Sequence, residues 1–359
     1  MDAYFCSLKI EEQYMQRCLQ LAAMGAGKVA PNPIVGALLV YEGRVIGEGC
    51  HQQFGEAHAE VNCINSVAET DKKLIADSTL YVSLEPCAHF GKTPPCADLI
   101  IKNNIPNVVI GCRDSFKEVA GKGIEKLKAA GINVVVGILE DECLELNRRF
   151  FTFHEKQRPY IILKWAQSMD GKIAASGGTR TFISNEFTNR VVHKWRAEEA
   201  AILAGTNTAL LDDPALTARL WPGNNPVRLV IDMDLKLPSS LKLFDGTVTT
   251  IVFNQHKEET GEMLSFCKID KHEKFIPQIL LVLHKLQLQS VIVEGGAKLL
   301  QLFIDENAWD EARVITNEEL IIENGLSAPV LKNSYLFEEQ KIKSDTISFF
   351  RNAAINKMY

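Results

Sequence analysis

The sequence has no stretch approaching the ~20 consecutive apolar residues that a membrane-spanning helix needs. Its start, Met1-Asp2-Ala3-Tyr4-Phe5-Cys6, has no basic segment followed by an apolar core. Neither a membrane span nor a secretory leader is expected, and the cytoplasm is the expected location. A long run of Lys or Arg is also missing: 39 basic residues stand against 45 acidic ones, for a formal charge of −6. Nucleic-acid binding draws most of its affinity from Lys/Arg contacts to phosphate, so no nucleic-acid partner is expected. A small anionic substrate held by a few local cations fits this balance better. The nine cysteines are odd in number and follow no regular framework, which suits a reducing compartment better than a disulfide scaffold. There is no internal repeat and no low-complexity tract. A dinucleotide fingerprint is absent from the first domain, because Gly25-Ala26-Gly27-Lys28-Val29-Ala30 trails a helical pattern instead of joining a strand to a helix. What remains is ordinary for a globular protein: 359 residues, 46% hydrophobic and 23% charged, enough chain for about two domains that each bury a core.

The strongest positive signal is His58-Ala59-Glu60 followed by Pro86-Cys87-Ala88-His89-Phe90-Gly91-Lys92-Thr93-Pro94-Pro95-Cys96. One imidazole and two thiolates supply three ligands to a tetrahedral Zn²⁺ and leave the fourth position for water, the arrangement of a catalytic site. Zinc lowers the pKa of such a water from 15.7 to roughly 7. A carboxylate two residues from a ligand, Glu60, can carry the protons that hydrolytic deamination must move. Residues i and i+2 of a regular helix point about 200° apart, so His58 and Glu60 share a target only if the metal sits off the first helical turn. The first thiolate, Cys87, follows the apolar run Leu80–Leu84, where a strand passes into a helix or turn, and a helix N-terminus there favours the anionic sulfur. Cys6, Cys18, Cys50, Cys63, Cys112, Cys143 and Cys267 have no partner spacing and read as small buried hydrophobes.

In zinc nucleobase deaminases the two cysteines are separated by two residues; here eight intervene. That longer gap, with Pro31-Asn32-Pro33-Ile34-Val35-Gly36-Ala37, Gly55–Glu60 and Arg113-Asp114, resembles the deaminase half of the bifunctional riboflavin-biosynthesis deaminase-reductases. The resemblance implies that Asn32, His51, His89, Lys92 and Asp114 recognise substrate. His51 and His89 read equally well as structural histidines.

Apolar periodicity over Glu11–Met24 predicts a first helix. Runs at Ile34–Tyr41 and Val45–Gly49 flank Glu42-Gly43 and read as a hairpin, followed by the ligand-bearing helix near 58–68. Strands at Thr79–Leu84, Asn107–Gly111 and Asn133–Gly137 alternate with helical stretches near 96–103 and 121–130, which predicts a sheet covered by helices on both faces. A polar break at His154–Pro159 marks the end of the first domain, and the division is set at 1–152 and 153–359. The second domain again mixes apolar runs (200–204, 227–231, 248–253, 290–293) with helical stretches (186–197, 297–304).

The segment Lys164–Ala174, Phe182-Ile183-Ser184, Leu211–Arg219 and Val293-Glu294-Gly295-Gly296 resemble the reductase half of the same family. The expected fold is therefore α/β throughout: a cytidine-deaminase-like α/β/α sandwich, then a dihydrofolate-reductase-like α/β domain. The resemblance implies NADPH as cofactor beside Zn²⁺, with Ala166, Phe182, Thr208, Asp212, Gly296, Ala297, Lys298, Leu299, Leu300, Gln301 and Leu302 contacting it. Arg180, Arg196, Leu216, Arg219 and Glu294 would contact substrate. Phe182 stands where tryptophan is common, Arg180 replaces a smaller polar residue, and Thr316–Gly325 departs from the family pattern. Physically, Val291–Leu300 reads as a buried strand, a glycine turn and a helix start whose bare amides can bind phosphate, and the three arginines are planar cations suited to a ribose phosphate. Any one of them is equally a solvated surface residue. The activity implied is deamination of 2,5-diamino-6-ribosylamino-4(3H)-pyrimidinone 5′-phosphate, then NADPH-dependent reduction of the ribosyl group to ribityl by a homo-oligomer. The rival readings are a deaminase of a free base, nucleoside or tRNA with a noncatalytic C-terminal domain, and a regulatory protein retaining a relic metal site.

Overall fold

The computed structural model describes residues 2–90, 94–114, 121–176 and 181–355. The chain divides into two compact units, Met1–Lys156 and Gln157–Tyr359. The division read from the sequence at 152/153 falls inside the last helix of the first unit, Arg148–Lys156.

The first unit runs α1 (Asp2–Ala23), β1 (Gly36–Tyr41), β2 (Arg44–Cys50), α2 (Ala59–Asn65), β3 (Thr79–Leu84), α3 (Cys96–Lys102), β4 (Asn107–Cys112), α4 (Lys122–Ala129), β5 (Asn133–Val136), α5 (Glu140–Leu146) and α6 (Arg148–Lys156). Its five-stranded sheet has the order β2-β1-β3-β4-β5. β1 pairs antiparallel with both β2 and β3, while β3, β4 and β5 are parallel. The β1–β2 turn holds Glu42 and Gly43 at φ 44° and 78°, the left-handed pair that matches strand twist in a two-residue hairpin.

Period-two alternation splits the sheet residues between two cores. Leu39, Leu80, Val82, Val108 and Ile110 pack with Ala59, Cys63, Ala97, Ile100 and Ile124 of α2, α3 and α4. Leu38, Val40, Tyr81 and Val109 pack with Met15, Cys18, Cys143 and Phe151 of α1, α5 and α6. The structural reading of Cys18, Cys63, Cys112 and Cys143 is thus met: all are buried and none is in a disulfide. Two glycines set the helices close. A Cβ on Gly36 would lie 2.0 Å from the Cys18 carbonyl oxygen of α1, and one on Gly49 would lie 2.2 Å from the Cys63 nitrogen of α2.

The second unit comprises β6 (Tyr160–Ser168), β7 (Lys172–Ala175), α7 (Glu186–Glu198), β8 (Ala201–Ala204), α8 (Thr206–Asp212), β9 (Val227–Ile231), β10 (Thr250–Asn254), β11 (Leu264–Lys268), α9 (Phe275–Lys285), β12 (Ser290–Val293), α10 (Ala297–Asp305), β13 (Glu311–Asn317), β14 (Gly325–Ser327), β15 (Ser334–Ile342) and β16 (Asp345–Asn352). A nine-stranded sheet has the order β11-β10-β9-β8-β12-β6-β13-β16-β15, and β7 pairs with β14. Strands β11 through β13 in that order are parallel, and β16 and β15 close the sheet antiparallel. Parallel central strands covered on both faces read as continuous apolar runs, as Tyr160–Leu163 and Ser290–Val293 do. Their alternate residues enter different cores: Ile161 and Leu163 pack with Ile276, Leu300 and Phe303, whereas Tyr160 and Ile162 pack with Val192 and Trp195 of α7. The helices α8 and α9 and the strands β7, β11, β13, β14, β15 and β16 are additions to the elements read from the sequence.

Candidate active sites

In the first unit the site lies at the ends of β1 and β3 and at the start of α2. His58 is the N-cap residue of α2, with extended backbone at φ −71° and ψ 168°. The imidazole therefore leaves the chain before helical geometry begins, and Glu60 leaves it in the first turn. This removes the opposition expected of i and i+2 within a helix. The Nδ1 of His58 lies 3.7 Å from Cys87 Sγ and 3.4 Å from Cys96 Sγ. A tetrahedral site with the usual Zn–S and Zn–N bond lengths has an N···S edge of about 3.6 Å, so the donor set and its spacing fit zinc. Among the described residues this is the one group of three His, Cys, Asp or Glu side chains arranged to hold a metal.

Cys87 itself sits in the loop after β3. The helix that follows opens at Cys96, whose N–H donates to Cys87 Sγ at 3.3 Å. Of the helix or turn expected at the first thiolate, the chain takes the non-helical course; the second cysteine opens the helix read near 96–103 and lends its amide to the first. A hydrogen bond from the Cys96 thiol and, secondarily, His58 hold the Cys87 thiol below its ordinary value.

Glu60 is 3% exposed. Burial, reinforced by the nearby Cys87 sulfur, pushes its carboxyl up to about 7 before any metal charge acts on it.

A cavity of about 290 Å³ opens over these groups, with Asn32, His51, Glu56, Glu85, His89 and Asp114 among the polar residues on its wall. Asn32 Nδ2 lies 3.0 Å from His51 Nε2, and His51 Nδ1 lies 3.0 Å from the Ala57 carbonyl. A carbonyl only accepts, so His51 is protonated on Nδ1 and accepts the Asn32 amide on Nε2. Burial holds His51 below its ordinary value. Both ring nitrogens are therefore engaged within the protein. The 31–35 loop is fastened by Asn147, which accepts from the Ile34 N–H and donates to the Ile34 carbonyl, each at 2.8 Å. Lys92 lies outside the described residues. Sequence reasoning missed Glu85 and the α6 residues Phe150 and His154, all of which line the cavity. Glu85 stands beside the Pro86-Cys87 motif, whereas Phe150 and His154 are some 60 residues beyond it and carried no signal.

In the second unit the named residues gather at the C-terminal ends of β6, β8 and β12, where parallel α/β sheets bind ligands. Glu294 follows β12 directly. It accepts two hydrogen bonds from Arg196 at 2.9 and 2.7 Å and one from Lys164 at 3.4 Å. Although burial pushes the Glu294 carboxyl up, Arg196 and Lys164 hold it down at about 2. Burial lowers Lys164. His193 is pushed down to about 4 by burial and by the charges of Arg196 and Arg219. Arg196 also donates to the Thr217 carbonyl at 3.2 Å, so its guanidinium is committed to protein, while Arg219 is exposed. Lys164, a motif residue given no role from the sequence, completes the cluster.

The glycine turn is built as read: Gly296 precedes α10, and its N–H donates to Thr208 Oγ1 at 2.8 Å. A Cβ on Gly295 would lie 3.1 Å from the Gly205 nitrogen, so the turns before α8 and α10 abut. Of the 296–302 stretch, Gly296, Ala297 and Lys298 lie at the helix start. Leu299 packs toward Gly205, Leu300 is in the core, Leu302 packs against that core, and Gln301 accepts the Val330 N–H at 2.9 Å. Asp212 ends α8, Ala166 lies on β6 opposite Ile315, and Phe182 is 76% exposed. Leu216 is buried with φ 49°, so it presents backbone, not side chain. Arg180 lies outside the described residues.

Fold and site together define a two-unit enzyme, a zinc-dependent deaminase followed by an NADPH-dependent reductase. Residues 8–112 match the cytidine and deoxycytidylate deaminase zinc-binding region, and residues 159–318 match the RibD C-terminal domain. The chain is 38% identical over 348 residues to riboflavin biosynthesis protein RibD of Aquifex aeolicus, covering 94% of this chain and 95% of that protein. It is 37% identical to RibD of Bacillus amyloliquefaciens, over 92% and 90% of the two chains. Among solved structures, the diaminohydroxyphosphoribosylaminopyrimidine deaminase/5-amino-6-(5-phosphoribosylamino)uracil reductase of Thermotoga maritima is similar at a TM-score of 0.89 and 36% identity, over 96% of this chain and 99% of that one. The chain belongs to the RibD family of riboflavin-biosynthesis enzymes.

Proposed function

We propose that the first unit hydrolyses 2,5-diamino-6-ribosylamino-4(3H)-pyrimidinone 5′-phosphate at its 2-amino group, and that the second reduces the product with NADPH to the 5-amino-6-ribitylaminouracil phosphate. The observation that carries the first half is the meeting of His58, Cys87 and Cys96 beside the buried Glu60. Those three residues hold zinc, which when bound supplies Lewis-acid activation of water near neutral pH. Glu60 takes a proton as the water oxygen bonds to C2, passes it to the ring nitrogen, and returns one to the amino group as the C–N bond breaks and ammonia leaves. Asn32, held by His51, offers its remaining amide groups to the pyrimidine edge; His89, Lys92 and Asp114 complete recognition. Wall residues Phe54 and Phe150 supply apolar surface to the ring.

In the second unit the Gly296–Lys298 helix start and the Thr208 hydroxyl support cofactor binding, with Ala166, Phe182, Asp212 and the 299–302 turn around it. NADPH, when bound, supplies the hydride that reduces C1′. Glu294, with Arg196 and Lys164, orients the ribose end, and Arg180, the Leu216 backbone and Arg219 meet its phosphate. The formal charge of −6 supports a small-molecule substrate over nucleic acid. No helix among the described residues is long and apolar enough to cross a membrane, and we assign the enzyme to the cytoplasm as a homo-oligomer.

A single reaction followed for both ammonia and NADPH absorbance tests this. Zinc removal should abolish ammonia release and leave NADPH oxidation intact on supplied deaminated intermediate. Loss of both together, or release of ammonia from cytosine, a nucleoside or tRNA in preference to the diaminopyrimidine phosphate, would overturn the reading.

A further inference from the structure

Three buried carboxylates line the deaminase cavity; the chemistry above gives proton transfer to Glu60 and a share of substrate recognition to Asp114. The third, Glu85, is 4% exposed and occupied in a way that fixes its duty. Its Oε2 accepts from the backbone N–H of Asp114 at 3.3 Å and of Gly121 at 3.1 Å. Its Oε1 accepts from the N–H of Gly123 at 3.0 Å and of Ile124 at 3.2 Å. An ionised carboxylate has about four acceptor positions, and four amides fill them. The acceptor positions of Glu85 are thus taken up by backbone.

The donors are informative. Gly123 and Ile124 belong to the first turn of α4, whose N-cap residue, Gly121, offers no side chain; such amides have no partner within a helix. Glu85 therefore caps α4 from another strand, and negative charge is favoured there. Asp114 lies just past the end of β4. One side chain thus binds the chain on both sides of residues 115–120. The approach is close: a Cβ on Gly123 would lie 2.0 Å from the Pro86 carbonyl oxygen. Pro86 precedes the ligand Cys87, so this contact packs the metal-bearing loop against the start of α4, and the Glu85 carboxylate joins that helix start to Asp114.

We propose that Glu85 is a positioning residue of the deaminase, whose carboxylate holds the Asp114 wall against the Cys87 loop so that the pyrimidine binds in register with the metal site. The proposal rests on the assignment of this cavity to the aminopyrimidine. Glu85→Gln keeps the shape, but turns an N–H₂ toward two N–H donors and so removes two of the four bonds.

The test uses the full-length zinc enzyme and the diaminopyrimidine phosphate. Glu85→Gln should raise KM at least about tenfold, the worth of one or two net hydrogen bonds, while kcat changes less than about threefold and zinc content stays at one per chain. Amide exchange should speed up at Asp114 and over 121–129, the segments whose amides Glu85 accepts, and nowhere else in the unit. Asp114→Ala should raise KM as well, and the double variant should fall short of the product of the two effects, because both act through one wall. If Glu85→Gln does not accumulate, Glu85→Asp, which keeps the charge but draws it back by one methylene, is read the same way. Faster exchange with an unmoved KM, multiplicative effects in the double variant, or loss of zinc together with kcat would overturn the proposal. A wild-type enzyme that releases no ammonia overturns the parent assignment and this one with it; wild-type turnover with an unmoved variant KM overturns this one alone.

Discussion

Glu60→Gln separates catalysis from stability in opposite directions. The side chain is 3% exposed, and glutamine matches its shape, so the cavity and the three metal ligands should persist. Removing a proton carrier from such a position costs about 10²- to 10⁴-fold in rate, and ammonia release should fall by that amount with zinc still bound. In the zinc-stripped, reduced protein the same change should stabilise. Burial pushes this carboxyl from an ordinary 4.5 up to about 7. Below the lower value both states are neutral and folding incurs no penalty. Between the two values the unfolded chain releases a proton that the folded chain keeps, so wild-type stability falls as pH rises, and the full cost is present above 7. At about 1.4 kcal/mol per pH unit the cost reaches about 3 kcal/mol. The glutamine variant escapes it, so its advantage in urea unfolding should be small at pH 5 and approach about 3 kcal/mol at pH 8, read as a shift in midpoint at constant slope. The four tryptophans, Trp165, Trp195, Trp221 and Trp309, all lie in the second unit. Far-ultraviolet dichroism or amide exchange must therefore follow the first unit, and tryptophan fluorescence serves as the unaffected control. An equal effect at both pH values, or ammonia release within tenfold of wild type, would refute the reasoning.

Other perturbations have equally direct expectations. Glu294, held down at about 2 against an ordinary 4.5, contributes about 3 kcal/mol that is present above pH 4.5 and lost as pH falls through 2, so acid unfolding by tryptophan fluorescence should be steep in the second unit. Glu294→Ala strands Lys164 and Arg196 without their counter-ion and should cost about 3–5 kcal/mol as well as NADPH oxidation; near wild-type stability would argue that the cluster is solvated. Gly49→Ala places a Cβ 2.2 Å from the Cys63 nitrogen and 2.5 Å from the Ala59 carbonyl oxygen. The helix that follows His58 must then move, so zinc retention and ammonia release should drop together at a cost of about 1–3 kcal/mol, with the reductase unchanged.

Much of the architecture was legible because local chemistry forced it. Alternating apolar residues in β3 and β4, the left-handed Glu42-Gly43 pair, and the glycine turn between β12 and α10 each have one economical backbone solution. The His58/Glu60/Cys87/Cys96 set was legible because ligand chemistry admits few residue types. The exposed strand β15 was not, since Glu338, Glu339, Gln340 and Lys341 follow no apolar period; its pairing with β16 holds it. Partnerships were invisible for the same reason. Arg196 looked like a free phosphate binder until Glu294, 98 residues away, engaged it. His51 read equally as a substrate contact or a structural histidine until Ala57 and Asn32 were seen to engage both its nitrogens.

From the order of residues alone came the candidate metal donors, the proposed proton carrier and the two-unit plan, because side-chain chemistry and periodicity are properties of short segments. Only the folded chain decided that the Cys96 amide is lent to the Cys87 sulfur, that Glu60 is buried while Glu85 is saturated by four amides, and that the reductase cluster is an ion triad. Hydrogen-bond partnership and desolvation depend on what lies across space, and the chain crosses that space through contacts far apart along it.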